Sequence, residues 1–216
     1  MKLHGYFRSS AAFRVRIALN LKGLPYEAVP VHLVRSEENA PAYRALSPLG
    51  TVPALVADES EGGSALTQSL AIVEYLDEIH PRPALLPDDP LGRARVRALA
   101  LTIACDIHPL NNLRVLNYLK QNLGVGEEQK NAWYRHWVAE GLMACERLLA
   151  GHPATGAYCH GDAPTVADCC LVPQVFNARR FDCPLDEMPT IRRIVARCEE
   201  LPAFAAAAPH NQPDAE

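Results

Sequence analysis

Residues 2–33, KLHGYFRSSAAFRVRIALNLKGLPYEAVPVHL, decide the fold of the first part of the chain. Lys2 to Phe7 reads as a short strand and Ala28 to Leu33 as a second. Between them, Ala11 to Leu21 is helical. Phe13, Ile17 and Leu21 recur at a spacing of four, flanked by Val15, Ala18 and Leu19. Arg14, Arg16 and Lys22 are expected to reach water. Ser9 or Ser10 supplies an N-cap, and Gly23 followed by Pro25 stops the helix. Strand, helix and strand within about 30 residues make a βαβ unit, which favours a right-handed parallel crossover.

Further along, Pro53 to Ala57 and Ser64 to Thr67 read as a hairpin joined by the turn-rich DESEGG at 58–63. Ser69 to Ile79 follows as a helix with Ala71, Ile72, Tyr75, Leu76 and Ile79 on one side. A βαβ unit followed by ββα on one sheet is a thioredoxin-like pattern. HPRPALLPDDPLG then places prolines at 81, 83, 87 and 90, which suits a linker. Beyond it strand signals nearly vanish. Arg93–Leu123, Gln129–Ala150, Thr165–Asn177 and Ile191–Leu201 are helical by pattern, with Thr165–Asp168 (TVAD) resembling a capping box. The tail PHNQPDAE is expected to fray. The expected organisation is α/β plus all-α: a thioredoxin-like domain at 1–80, a linker at 81–91 and an all-helical domain at 92–216.

The chain has 216 residues, 49% of them apolar, which is enough for one large or two small domains. With 25 acidic against 21 basic residues its formal charge is −4. No long basic run is present to neutralise phosphates, so nucleic acid is excluded as a partner. No apolar stretch approaches the roughly 20 residues of a membrane helix, and MKLHGYFRSS has no signal-peptide apolar region. The seven cysteines are an odd number without a CxxC, the pattern of reduced thiols in a cytoplasmic protein.

The richest chemistry lies at Arg8-Ser9-Ser10, between the first strand and the first helix. A helix start favours an anion such as a thiolate, and a serine hydroxyl there donates to the same sulfur. The alternative is that these serines only cap the helix. Val52-Pro53 opens the third strand; a cis bond there would turn the Val52 backbone toward an extended peptide ligand. Ser69 after Gln68 either caps its helix or offers its hydroxyl and amide to a ligand carboxylate. In the helical part, CDIHPLNNLRVL interrupts a helix, with Pro109 expected to kink it beside His108, Asn111 and Asn112. Arg114 follows, and Arg179-Arg180 lie just after the Thr165 helix. Convergence of these arginines with Arg8 would suit a dicarboxylate. HExxH, GxxxxGK[ST] and GxSxG are absent, as is GxGxxG after the first strand. Cys159-His160 with Cys169-Cys170 is too irregular for zinc; Cys169 and Cys170 read as small buried residues, and no metal site is expected.

Taken together, YFRSSAAFRVRIALNLKGLPYE (6–27), VPAL (52–55), QSLAIVEYL (68–76) and GDAPTVADCCLVPQVFNARRF (161–181) resemble the zeta class of cytosolic glutathione transferases. That class includes the maleylacetoacetate and glutathione-dependent maleylpyruvate isomerases. The resemblance spans nearly the whole chain and implies a glutathione-binding thioredoxin-like domain, an all-helical domain and a cytosolic homodimer. It implies that Ser9 faces the glutathione sulfur, with Ser10 beside it. Val52, before a family cis-proline at Pro53, would pair with the cysteinyl backbone, and Gln68 and Ser69 would bind the γ-glutamyl end. His108, where many members have Gln, and Asn112 would reach toward glutathione. Arg8, Arg114 and Arg180 would hold a small acidic substrate. The family's SSCSWR is SSAAFR here, so Ala11 replaces a cysteine. Arg114, with CDIHPLNN, looks more like the maleylpyruvate type. The expected activity is glutathione-dependent cis–trans isomerisation of a maleyl keto acid. A conjugating transferase or peroxidase would use the same site, and a non-catalytic glutathione-binding module is a third reading.

Overall fold

The computed structural model describes residues 1–57 and 64–216, so the DESEGG turn lies outside the described residues. It divides into two compact units: Met1–Leu85 together with Glu199–Glu216, and Leu86–Cys198. This departs from the division read off the sequence, in which everything after the prolines belonged to one helical domain.

The first unit holds a four-stranded sheet, β1 (Lys2–Gly5), β2 (Glu27–Pro30), β3 (Ala54–Val56) and β4 (Ala65–Thr67), in the order β2-β1-β3-β4. β2 runs parallel to β1, while β1–β3 and β3–β4 are antiparallel. Helix α1 (Ser10–Leu21) makes the crossover, α2 (Pro41–Leu46) lies between β2 and β3, and α3 (Ser69–Ile79) follows β4. The first two strands end earlier than expected. Val31 still donates its N–H to the Gly5 carbonyl at 2.7 Å, but Leu33–Arg35 then winds into a 3₁₀ turn. Gly23, at φ 63°, ends α1 as foreseen: its N–H reaches the Asn20 carbonyl at 3.1 Å, and that of Leu24 the Leu19 carbonyl at 3.0 Å.

The expected solvent face of α1 does not exist. Every residue from Ala12 to Leu19 is buried, Arg14 and Arg16 included, because the helix packs against both α3 and α10 (Pro202–Ala207). Lys22 is buried as well. Its ammonium donates to Asp77 Oδ1 at 2.8 Å and to the carbonyls of His80 and Pro83 at 2.7 and 2.9 Å. On α3 the buried stripe is Ser69, Ile72, Val73 and Leu76; Ala71 and Ile79 face outward, contrary to the expected side. Nor does the tail fray. Pro209–Asn211 forms a 3₁₀ turn, and the Gln212 amide donates to the Ala206 and Ala208 carbonyls at 2.8 and 2.9 Å.

The second unit is all helical: α4 (Pro90–Leu101), α5 (His108–Asn111), α6 (Leu113–Gln121), α7 (Glu127–Leu149), α8 (Val166–Arg180) and α9 (Pro189–Glu199). Its first helix starts inside the expected linker, where Asp89 accepts from the Gly92 N–H at 2.7 Å and Pro90 takes a first-turn position. Thr102–Ile107 is a π-helical turn, and the break expected at Pro109 falls at Asn112, which is extended (φ −67°, ψ 144°). The capping box is present: Asp168 Oδ2 accepts from the Thr165 N–H and hydroxyl, each at 2.8 Å. Its Oδ1 takes the Cys159 N–H at 2.9 Å. Glu146, buried on α7, accepts from the Thr190 and Ile191 amides at 3.0 and 2.8 Å, serving the start of α9. Among the described residues no helix is long and apolar enough to cross a membrane.

Gly141 lets α7 approach the π-helical turn. A Cβ there would fall 2.3 Å from Ile107 Cγ1 and 2.5 Å from its Cδ1, and Ile107 is buried and β-branched. Alanine in a helix gains about 1 kcal/mol over glycine, whereas overpacking a core costs about 1–3 kcal/mol. Gly141→Ala is therefore expected to lower the thermal midpoint despite its better helix propensity. A raised midpoint would show that Ile107 yields without cost.

Candidate active site

The register of the sheet gathers three segments at one end. His4 on β1 pairs with Ala54 on β3, which pairs with Thr67 on β4. From that row the chain runs on to Ser9 after β1, back to Val52 before β3, and forward to Gln68 and Ser69 after β4.

At the first of these, Ser9 is the N-cap of α1, with its hydroxyl oxygen accepting from the Ala12 N–H at 3.2 Å. Capping uses an oxygen lone pair and leaves the hydroxyl proton available to a second group. The two readings of Ser9 are thus compatible. No acidic residue occupies the first turn of α1, so no side chain of that turn offsets the positive end of the helix dipole. Ser10 opens the helix and is buried. Arg8 is half-buried, donating to the Tyr6 hydroxyl at 2.8 Å while its guanidinium lies 4.9 Å from the centre of the Phe7 ring.

The Val52–Pro53 peptide is cis. Among the described residues no hydrogen bond engages the Val52 N–H or carbonyl. Sequence reading missed what seats this segment: α2 carries Tyr43, whose hydroxyl donates to the Thr51 carbonyl at 2.8 Å, and Ser47 Oγ donates to the same oxygen at 2.9 Å. At the third segment Gln68 sits at φ 69°, a left-handed conformation costing a long side chain about 1–3 kcal/mol. It is exposed, whereas Ser69 is buried and accepts from Arg14 Nη1 at 3.3 Å. Charge alone would send Arg14 to solvent, yet it is buried. The readable signal was that α1 is apolar on nearly all sides, and a helix of that kind is buried.

The remaining candidates belong to the helical unit. His108 Nε2 and Asn112 Nδ2 stand 3.4 Å apart, and Asn112 also caps α6 by accepting from the Arg114 N–H at 3.1 Å. Arg114 is exposed on α6. Arg179 and Arg180 do not follow a helix but form the last turn of α8, where Arg180 donates to Asn177 Oδ1 at 3.1 Å and lies over Phe181.

Residues 3–84 match the model of the glutathione S-transferase N-terminal domain. A probable maleylacetoacetate isomerase of Vibrio cholerae is 53% identical over 99% of this chain and 97% of its own length. The holo structure of a maleylpyruvate isomerase, a bacterial zeta-class glutathione S-transferase, superposes with a TM-score of 0.96 at 52% identity, covering both chains fully. This chain belongs to the zeta class of glutathione transferases. A further neighbour by structure is the maleylacetoacetate isomerase of Methylobacterium extorquens AM1 with bound malonate and glutathione; its TM-score is 0.96 at 42% identity, and both chains are fully covered.

The first unit of this zeta-class chain carries no thiol near α1. All seven cysteines fall between residues 105 and 198, so the first unit contains none. Cys169 and Cys170 are fully buried, as expected, and only Cys105 is exposed. Burial pushes the thiols of Cys145 and Cys183 up to about 12 and 11, and those of Cys159 and Cys169 well above their usual range. The first unit itself therefore offers no thiol at the α1 end. A disulfide reagent at neutral pH is expected to titrate one thiol rapidly in the folded protein and the other six only on unfolding. Rapid reaction of two or more would contradict the burial.

Proposed function

We propose that this chain is a glutathione-dependent isomerase converting a maleyl keto acid, maleylpyruvate or maleylacetoacetate, to its fumaryl isomer. The observation that carries the reading is the row His4–Ala54–Thr67, from whose one end the Ser9, Val52 and Gln68–Ser69 segments all lead. A tripeptide with an extended backbone, a thiol and a terminal carboxylate fits that edge. Val52 offers backbone groups, the Gln68–Ser69 start of α3 has no acid in its first turn, and the neighbourhood lacks a thiol of its own.

Bound glutathione supplies a thiol whose reversible addition to the maleyl double bond permits rotation before the double bond re-forms. The chain's task is to hold that sulfur as an anion and to fix the substrate's carboxylates. Ser9 donates its hydroxyl proton to the sulfur, and the first turn of α1 adds its partial positive charge. Lowering a thiol by one pKa unit takes about 1.4 kcal/mol, within reach of a helix terminus plus one charge-assisted hydrogen bond. Ser10 stands beside Ser9 in this role. Val52 and Pro53 align the cysteinyl segment, Gln68 and Ser69 hold the γ-glutamyl carboxylate, and Arg14 behind Ser69 supplies positive charge. His108 and Asn112 give further polar contacts to glutathione. Arg8, Arg114 and Arg180 bind the dicarboxylate; a chain of net charge −4 needs such a local excess of guanidinium to attract a dianion.

Turnover of maleylpyruvate and maleylacetoacetate, measured side by side with sub-stoichiometric glutathione, tests the reading. Ser9→Ala is expected to lower kcat/KM at least tenfold, about 1.4 kcal/mol of transition-state stabilisation. Arg180→Ala is expected to raise KM for the acid chiefly. Glutathione consumed one for one into a stable adduct would instead identify a conjugating transferase, and wild-type turnover by Ser9→Ala would remove that hydroxyl from the mechanism.

We further propose a cytoplasmic homodimer. Seven cysteines, none of them in a disulfide, suit a reducing compartment, and the near-full-length likeness to zeta-class proteins supports the dimer. Light scattering should return twice the chain mass; a monomer mass would refute it.

A further inference from the structure

Beyond the sheet, the turn that leads into the candidate site is held by a residue more than 200 positions away. β1 ends at Gly5, and the next two residues, Tyr6 and Phe7, are buried without a strand to satisfy their backbone. Side chains take over. The Phe7 N–H donates to Asp214 Oδ2 at 3.0 Å, and the Phe7 carbonyl accepts from Arg16 Nη2 at 2.9 Å. The Tyr6 carbonyl accepts from the Ser9 N–H at 2.9 Å and from Arg16 Nη1 at 3.4 Å. Arg16 also donates through Nε to the Ala207 carbonyl at 3.0 Å, which ties the same guanidinium to the segment bearing Asp214. A buried N–H without an acceptor is strongly disfavoured, so the orientation of the Phe7 peptide depends on that carboxylate.

We infer that Asp214 is a positioning residue for the proposed reaction: by accepting the Phe7 N–H it fixes the turn that sets the Arg8 guanidinium and the Ser9 cap. This rests on the reading of Ser9 and Arg8 given above. The route is short. Arg8 lies over the Phe7 ring and donates to the Tyr6 hydroxyl, while Ser9 takes its place from the Tyr6 carbonyl. Tilting the Tyr6–Phe7 peptide moves both groups together. Asp214 is held for this by the tail, where the Ala215 N–H turns back to the Gln212 carbonyl at 3.1 Å and the buried Gln212 amide is anchored on α10 and the residue after it. Glu216, two residues on, reaches His32 Nε2 at 3.0 Å and Arg35 Nη2 at 3.3 Å, pinning the far side of the tail.

The test compares Asp214→Ala, Asp214→Asn and Ser9→Ala in the full chain. Turnover is measured together with the pH dependence of the ultraviolet thiolate absorbance of bound glutathione. Asp214→Ala is expected to lower kcat about tenfold, the scale of a small misplacement of reacting groups, and to shift the thiol titration to higher pH. Asp214→Asn, whose side-chain carbonyl still accepts the Phe7 N–H, is expected to recover most of both. Where the Ala variant gives no folded protein, Asp214→Glu keeps the charge but moves the acceptor by one methylene, and the same two shifts are expected at smaller size. A wild-type kcat and thiol titration in Asp214→Ala, or in Asp214→Glu where that replaces it, overturns the inference. So does a loss that Asn does not recover. If Ser9→Ala is also without effect on the titration, the thiolate reading itself has failed; if Ser9→Ala shifts it and Asp214→Ala does not, only the positioning role falls.

Discussion

The first unit depends on three cations kept out of water along one helix. Arg14, Arg16 and Lys22 are each buried, and an unpaired charge in that position costs several kcal/mol. Each is stabilised by bonds to groups distant in sequence. Lys22 gathers Asp77 and two carbonyls at the end of α3, Arg14 reaches Ser69 at its start, and Arg16 takes carbonyls from the β1–α1 turn and from α10. Desolvation lowers Arg16 to about 10, which still leaves it charged at neutral pH. A hydrophobic helix would pack as tightly. What the cations add is direction, because each guanidinium or ammonium donates to oxygen acceptors at fixed positions, and these acceptors lie near the ends of the segments that form the candidate site.

Local signals in the sequence were enough for the parts of the fold that local physics controls. The caps of α1 and α8, the glycine stop at Gly23 and the helix at 69–79 follow from residue type and spacing. The apolar character of Cys169 and Cys170 was legible for the same reason. Where the reading departs from the structure, the deciding interaction is long-range. A polar tail looks like fraying until Asp214 is paired with the Phe7 amide, 207 residues away. Arginine and lysine on a helix look solvated until their partners are in place. α2 is six residues long, too short to show a period, yet its Tyr43 helps hold Thr51 next to Val52. The end of the first strand was overrun by two residues because Tyr6 and Phe7 are good strand formers whose polar groups are claimed by side chains instead of a neighbouring strand.

Of the candidate site, the residues at the sheet edge could be named from sequence because helix starts and an X–Pro strand entry are recognisable, and because the family resemblance fixed which of them to choose. Their gathering at one edge of the small sheet follows from the βαβ–ββα order, and the row that sets it is fixed by the register of β1, β3 and β4. The absence of a cysteine from the first unit was readable directly, and under the proposed mechanism it divides the labour: the protein would contribute a cap hydroxyl, a helix terminus and guanidinium groups, while the sulfur would come from outside. Ala11 is consistent with that division. A small apolar residue in the first turn neither competes for the Ser9 proton nor adds a second nucleophile.

Residues 199–216 belong to the same compact unit as residues 1–85. A ribosome releases the chain from its amino end, and domains ordinarily fold in that order. Here the sheet and α1 emerge first, yet Arg16 has no Ala207 carbonyl to meet, and the Phe7 amide no acceptor, until the whole helical unit has been translated. Of the two units, the one begun first is completed last, and its core stays unfinished for the length of the intervening synthesis.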